Sequence, residues 1–312
     1  PVEKTLFRGI QSLKKGEIRS YSIEKNSIQC ISNFFSADPS YLKYSEEDCI
    51  KTLEEQIIQS VQSHLVSDVS IGVYLSGGID SSLVATLAAQ VNSNLIGFTG
   101  YFEDEDEHYD ERKLARLVAE KSKFPLCEIK ITSDHFVQNF DLMIYHLDQP
   151  RMGMGAFSQF IVAAEAAKHR KVILAGHGGD ELFAGYPLHK AAYLLSQVAF
   201  GLGSWSILRK MKSKEWPWYL YSVSKRILTG RFFFAPQIWK KSSVLSAQDF
   251  SSSSEDLLDV LDHYYQDTYI PGLLEVEDRI SMAHGLETRV PLWSQDLVSF
   301  SQKIPKIGRA HV

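Results

Sequence analysis

Cysteine is scarce in this sequence: Cys30, Cys49 and Cys127 are the only three, and no two form a C-x-x-C pair. An odd, widely spaced set makes neither a disulfide framework nor a zinc site, and it matches the reduced thiols of a cytoplasmic protein. Long apolar runs are missing too. The nearest approach, Ala191 to Trp205, is too short and too mixed to span a bilayer, and no secretory signal opens the chain. Basic charge is not in excess: 33 Lys and Arg stand against 38 Asp and Glu, a formal net charge of −5. A dedicated nucleic-acid binder is usually basic overall, so that class is disfavoured. Neither an H-E-x-x-H pair nor a G-x-x-x-x-G-K phosphate loop occurs, and there is no internal repeat.

What remains is the composition of a globular protein with a real core. Of 312 residues, 44% are apolar and 23% charged, and the length suggests roughly two domains. The chain starts at Pro1, and Thr5 to Ile23 alternates polar with apolar residues, which predicts strands from the edge of something larger. Ser45-Glu46-Glu47-Asp48 resembles a capping box, and Ile50, Leu53, Ile57, Val61 and Leu65 recur at helical spacing behind it. Strands are predicted at 71–75, 95–99, 126–131 and 171–175. Helices are predicted at 81–91, 110–122, 136–147 and 156–168. That alternation implies an α/β fold with a mostly parallel, doubly wound sheet, whose ligands sit at the carboxyl ends of the strands.

After Pro187 the pattern turns helical and aromatic, with Trp205, Trp216, Trp218, Tyr219 and Phe232 to Phe234, and no strand is obvious. This predicts a helical region added to an α/β core that ends at about 187. Ser251 to Ser254 reads as a loop before a helix near Glu255, and the acidic run Glu103 to Glu107 reads as a solvated loop. The final Lys306-Ile307-Gly308-Arg309-Ala310-His311-Val312 can be back-translated into a run that resembles a sequencing adapter, so 306–312 is expected to be a non-native tail.

The strongest chemical signal is Leu75-Ser76-Gly77-Gly78-Ile79-Asp80-Ser81-Ser82. An apolar strand, a glycine pair and a helix start aim several backbone N–H groups at one point. The helix end adds partial positive charge, so the loop is an anion nest suited to phosphate. Ser76, Ser81 and Ser82 offer hydroxyl donors. Asp80 would repel phosphate unless a cation stood between them, and Mg²⁺ is the natural mediator. A second glycine-rich turn, Ala175-Gly176-His177-Gly178-Gly179-Asp180-Glu181, follows another strand.

The first motif resembles the pyrophosphate loop of the N-type ATP pyrophosphatases. The second, running on through Leu182-Phe183-Ala184-Gly185-Tyr186, is similar to the S-G-x-G-x-D-E-L-F-G-G-Y segment of asparagine synthetases. Glu277-Asp278-Arg279-Ile280-Ser281-Met282-Ala283-His284 and Glu287-Thr288-Arg289-Val290-Pro291-Leu292 resemble two further elements of that family. Phe98-Thr99-Gly100, Tyr109-Asp110-Glu111 and Asp148-Gln149-Pro150 also fit, and Thr5 to Gly16 looks like the end of the family's glutaminase domain. The resemblance implies three parts: a remnant of that domain and linker over 1–38, an ATP-pyrophosphatase domain over 39–305, and the tail.

It also implies an activity: formation of asparagine from aspartate through a β-aspartyl-adenylate, with release of AMP and pyrophosphate. The cofactors would be ATP and Mg²⁺. The ammonia would come from glutamine through a domain outside this stretch, in the cytoplasm, without nucleic acid or membrane, and with room for a homodimer. Ser76, Gly77, Gly78, Asp80, Ser81 and Ser82 would hold the phosphates; Leu75, Gly100, Ala175 and Gly176 would line the nucleotide. Asp80 and Asp180 would hold the metal, and Glu181 and Tyr186 would shape the pocket. Arg279 and Arg289 would hold either a substrate carboxylate or internal acids. His177 departs from the Glu found in bacterial asparagine-forming enzymes. It could act as a base, since its ordinary pKa lies near neutrality, or merely fill the loop. This departure keeps open an enzyme that amidates or cyclises another carboxylate, a peptide or sugar acid, and an inactive nucleotide-binding paralogue.

Overall fold

The computed structural model describes residues 5–13, 16–33, 45–102, 110–148, 154–186, 189 and 264–304. The chain divides into two compact units. The first takes in Pro1–Ser36 and Ala184–Tyr264, and within it β1 (Glu17–Ser22) pairs antiparallel with β2 (Ser27–Asn33). Asn26 at the turn adopts φ 44° and accepts a hydrogen bond from the Tyr21 hydroxyl at 2.5 Å. Ahead of the hairpin the predicted strand gives way to a turn. Thr5 Oγ1 donates to the Ile10 carbonyl at 2.8 Å, a local bond of the kind that competes with strand pairing.

The second unit, Ala37–Phe183 with Tyr265–Ala310, is built on five strands. It opens with α1 (Glu46–His64), capped as its sequence predicts: Ser45 Oγ accepts the Asp48 N–H at 3.1 Å. There follow β3 (Ile71–Tyr74), α2 (Ile79–Val91), β4 (Ile96–Phe102), α3 (Arg112–Ser122) and β5 (Leu126–Ile131). Next come α4 (Ser133–Leu147), α5 (Met154–Ala166), β6 (Val172–Leu174) and a single turn of helix, α6 (Gly179–Leu182). A π-helical turn at Tyr265–Tyr269 leads into α7 (Ile270–Met282), β7 (Glu287–Arg289) and α8 (Gln295–Lys303).

The strand order is β5-β4-β3-β6-β7, with every pairing parallel. Alternate residues feed two cores. Val172 and Leu174 join Ile71, Val73 and Leu75 against Val61 of α1, Val84 and Ala88 of α2 and Ala115 of α3. Ile173 points the other way, and with Phe98, Ile129 and Ile131 it meets Met143 of α4, Phe160 of α5 and Ile280 of α7. Helices therefore cover both faces, as the near-continuous apolar strands require, and the sheet is doubly wound as the alternation predicts. α4 starts earlier than its apolar spacing suggests. Thr132 caps it by accepting the His135 N–H, and the His135 ring returns a contact to the Thr132 N–H, a box without the usual Glu or Gln.

β7 corrects the expectation that no strand follows Pro187. Its sequence, Glu-Thr-Arg, is three residues long and carries two charges, so it has no apolar alternation to read. Tertiary pairing makes it a strand: it lies beside β6, with Val172 opposite Glu287 and Leu174 opposite Arg289. The aromatic stretch 205–239, the Ser251 to Ser254 run, the Glu255 helix, the acidic run at 103–107 and the tail at 306–312 lie outside the described residues. Among the described residues no helix is long and apolar enough to cross a membrane.

Candidate active site

Strand order reverses between β3 and β6: β4 and β5 extend one way from β3, and β7 extends the other way from β6. At such a switch point the loops leaving the carboxyl ends of two neighbouring strands diverge and open a crevice. The two glycine-rich turns are these loops. The first leaves β3 at Leu75, whose N–H donates to the Phe98 carbonyl at 2.9 Å, and the second leaves β6 at Ala175, whose N–H donates to the Arg289 carbonyl at 2.9 Å. Both residues are almost fully buried, so each turn springs from a fixed base.

In the first turn Gly77 takes φ 85°, a conformation that only glycine adopts without strain. The loop then folds on its own hydroxyls. Ser76 Oγ accepts the Gly78 N–H at 3.2 Å and lies 2.9 Å from Ser81 Oγ, which in turn accepts the Ser76 N–H at 3.3 Å. Ser82 Oγ is buried and has no hydrogen-bond partner among the described residues. α2 begins at Ile79 without a side-chain cap, so its first N–H groups stay available to an anion.

The second turn is fitted against the first. A Cβ on Gly176 would stand 2.6 Å from the Ser81 backbone nitrogen, and a Cβ on Gly179 would stand 2.4 Å from Asp80 Oδ2. The Asp180 N–H donates to that same oxygen at 3.2 Å. Burial, then the charge of Asp180, pushes the Asp80 carboxyl up from 3.8 to about 6, against the pull of this hydrogen bond. Asp80 and Asp180, a hundred residues apart in sequence, are thus brought together. Glu181 is nearly fully buried and closes its own turn by accepting the Gly178 N–H at 3.0 Å.

His177 projects from this turn toward α7. Its Nε2 lies 3.0 Å from Glu277 Oε2, and the same oxygen accepts the Gln159 side-chain amide from α5. Burial pulls the His177 pKa down, but the hydrogen bond and charge of Glu277, with Glu181 and Asp80 behind them, carry it above 6.5. Glu277 is only 2% exposed, and its Oε1, like the Tyr74 hydroxyl and Thr288 Oγ1, is buried without a hydrogen-bond partner among the described residues. Burial, and next the charge of Glu277, raises the Tyr74 hydroxyl well above its ordinary value. Neither Glu277 nor Gln159 was singled out from sequence as a site residue. The readable signal was an acid on the stripe that α7 buries, between Ile270 and Ile280.

Other candidates lie elsewhere. The Arg279 guanidinium pairs with Asp148 and lies 3.7 Å from Glu275. Arg289 Nη1 donates to the carbonyls of His64 and Val66, each at 2.8 Å, and its Nε pairs with Glu287. Gly100 sits within β4, where a Cβ would strike Val162 and Ile131, so packing alone accounts for its glycine. Tyr186 belongs to the first unit, where its ring stacks on His189 at 6.1 Å between centroids.

The class that this fold and site define is a doubly wound α/β protein with two interlocked glycine-rich turns at the switch point of its sheet. The chain belongs to the asparagine synthase family, whose model matches residues 52–307. It is 29% identical, over 339 aligned residues covering 98% of this chain and 50% of the relative, to a putative glutamine-hydrolyzing asparagine synthetase of Mycobacterium tuberculosis. It is 26% identical over 331 residues, covering 98% of this chain and 51% of the relative, to glutamine-hydrolyzing asparagine synthetase 1 of Bacillus subtilis. A shorter match, 32% identical over 165 residues and covering 48% of this chain and 24% of the relative, is to amidase chyE of Penicillium rubens. The chain spans about half the length of the curated asparagine synthetases it matches in full.

Proposed function

We propose that this chain is the synthetase portion of an ATP-dependent amide-forming enzyme of the ATP-pyrophosphatase type, with aspartate as its acid and asparagine as its product. The observation that carries the reading is the interlock of the two turns, in which Gly176 and Gly179 press the second turn onto Ser81 and Asp80 of the first. A carboxylate is a poor acyl donor because its oxygen leaves badly. Its attack on the α phosphorus of ATP breaks the bond to pyrophosphate and makes an acyl-adenylate. Ammonia then attacks the acyl carbon and AMP departs. Ser76, Gly77, Gly78, Asp80, Ser81 and Ser82 would receive the pyrophosphate, whose oxygens would replace the mutual bonds of the serine hydroxyls. Leu75, Ala175 and Gly176 would present backbone to the nucleotide.

The donor set fits Mg²⁺. Among the described residues no group of three or more His, Cys, Asp or Glu side chains could hold a metal. Mg²⁺ is usually held by one or two carboxylates together with substrate phosphates. Asp80, raised by burial and then by the charge of Asp180, would be such a carboxylate, with Asp180 beside it. When bound, the ion would neutralise charge that develops on the departing pyrophosphate. The names of the bacterial relatives support glutamine as the source of ammonia, hydrolysed by a part of the full-length protein outside this stretch. The three free cysteines are compatible with a reducing, cytoplasmic setting.

One observation favours a second reading, amidation or cyclisation of another carboxylate. Arg279 and Arg289, the two guanidinium groups that could have received an acid, are both engaged by protein partners. The fungal amidase relative is compatible with it. Phosphorus NMR on the full-length protein with Mg-ATP, aspartate and ammonium separates the cases. AMP and pyrophosphate that require aspartate establish the first reading. The same products with another acid establish the second. ADP and phosphate overturn both, and nucleotide binding without turnover identifies an inactive paralogue.

A further inference from the structure

β5 (Leu126–Ile131) is an edge of the sheet: among the described residues it pairs with β4 alone. The Gly97 N–H donates to the Pro125 carbonyl at 2.9 Å. In a parallel ladder of that register the backbone of Cys127, Ile129 and Ile131 turns toward β4, and that of Leu126, Glu128 and Lys130 turns outward. The side chains alternate too. Cys127, Ile129 and Ile131 join the core that holds α4 and α5. On the opposite face Lys130 is exposed, and Glu128 accepts two hydrogen bonds from Arg116 of α3, at 2.5 and 2.6 Å. A groove opens along the strand, lined by Cys127 and Ile129 together with Asn139 of α4 and Ile161 of α5. The two helices therefore leave the apolar side of this edge within reach, and such an edge is a template for another strand.

We propose that β5 is a dimer seam: it pairs antiparallel with the β5 of a second copy of this chain, about a two-fold axis through Ile129, and joins two five-stranded sheets into one. The charges choose both the occupant and the register. A two-fold axis makes every cross-strand contact twice, so an axis at Glu128 or at Lys130 sets a charge opposite its own copy, which is unfavourable. The axis at Ile129 alone sets Glu128 opposite Lys130 of the second copy, and Lys130 opposite its Glu128. On the other face the same register sets Ile129 against Ile129 and Cys127 against Ile131, so apolar side chains meet along the groove. The Glu128 carboxylate accepts at both oxygens and has lone pairs for Arg116 and for an incoming ammonium together. The strand is thus complementary to itself, in charge on one face and in hydrophobicity on the other. A lysine on an edge can serve the opposite end, that of keeping other strands away. The two roles predict different behaviour in solution.

Two measurements on the full-length protein test the seam, and neither needs a substrate. Sedimentation velocity over a range of concentrations should show a dimer. Lys130→Glu sets acid against acid at both crossings and should weaken the dimer about tenfold. Glu128→Lys combined with Lys130→Glu exchanges the two charges, keeps them opposed, and should bring the dissociation constant back toward that of the parent. The second measurement reads the register. Residues on the axis form a non-hydrogen-bonded pair with Cα atoms about 4.5 Å apart, within the span of a disulfide. In a Cys127→Ser background, Ile129→Cys should therefore give a covalent dimer on mild oxidation, with the 129–129 link found by peptide mapping. A monomer at every concentration overturns the proposal and assigns the two charges to guarding the edge. So does a dimer that Lys130→Glu leaves unmoved, or one in which the link does not form: such a dimer is made elsewhere on the molecule. Should Ile129→Cys not fold, the exposed Lys130 and the charge exchange decide the question alone.

Discussion

Gly179 lies so close to Asp80 that a Cβ on the glycine would sit 2.4 Å from one carboxylate oxygen and 2.5 Å from the other. The second turn can reach the first only because nothing projects from it there. Gly176 makes a different contact, with the backbone nitrogen and Cα of Ser81 at 2.6 and 2.8 Å. A carboxylate can swing aside, whereas the backbone at the start of α2 cannot. Gly176→Ala should therefore lower stability by about 2–3 kcal/mol, and Gly179→Ala by about 1 kcal/mol. Binding of Mg-ATP should suffer in both, because in Gly179→Ala it is Asp80 that moves. Urea midpoints and nucleotide titrations on the two variants check the contrast; equal stabilities would mean the helix start yields as easily as the side chain.

Asp80 should make the fold less stable as the site becomes competent. Its carboxyl is raised from 3.8 to about 6, so between these values the folded state holds the proton more tightly than the unfolded chain. Stability therefore falls as pH rises from about 4 to about 6, and stays lowered above that. A shift of this size corresponds to about 3 kcal/mol in full, and partial exposure reduces it to about 1–2 kcal/mol. Asp80→Asn should flatten that slope, gain about 1–2 kcal/mol at pH 7 and lose ATP-dependent turnover. Denaturant unfolding from pH 4 to pH 7 gives the answer, and a variant less stable than the parent at pH 7 would contradict the burial argument.

Arg289 ties the far edge of the sheet to the end of α1. Its guanidinium satisfies the His64 and Val66 carbonyls, separated from it by more than two hundred residues of chain. Arg289→Ala should cost about 1–3 kcal/mol, and Arg289→Lys should restore only part, because an ammonium lacks the planar fork that reaches both carbonyls. The KM for the acid should not move in either. A large rise in KM with unchanged thermal stability would place this arginine on the substrate instead.

At the other end of α1, Ser45→Ala removes the acceptor for the Asp48 N–H and should cost about 1 kcal/mol. Ser45→Asp should hold stability within a few tenths of that of the parent. Thermal melts of the two variants are enough to decide it.

Much of the fold was legible because its rules are local. The apolar runs of β3 through β6 alternate with helical spacing, and the glycines of both turns mark the strand ends where a ligand belongs. The links missed are those made by tertiary contact alone. β7 is invisible as Glu287-Thr288-Arg289 because three residues with two charges carry no period, and only the open edge of β6 makes them a strand. Glu277 was readable as part of a motif, but not as the partner of His177, since nothing in sequence says which turn will face which helix. The open choice for Arg279 and Arg289 has the same origin: Asp148, His64 and Val66 are neighbours only after folding.

The two strands at that edge have a consequence for how the protein is made. β6 ends at Leu174 and its partner β7 begins at Glu287, so the ribosome delivers the whole of 175–286 between them. Until then the nascent sheet carries β6 with one side unpaired, a template for wrong partners. Glu277 and Ala175's acceptor at Arg289 emerge in the same late stretch, so the second turn lacks both its anchor and its carboxylate until synthesis is nearly past them. A chain interrupted before that point can present the first glycine-rich turn in full, yet it has no means of holding the second one against it.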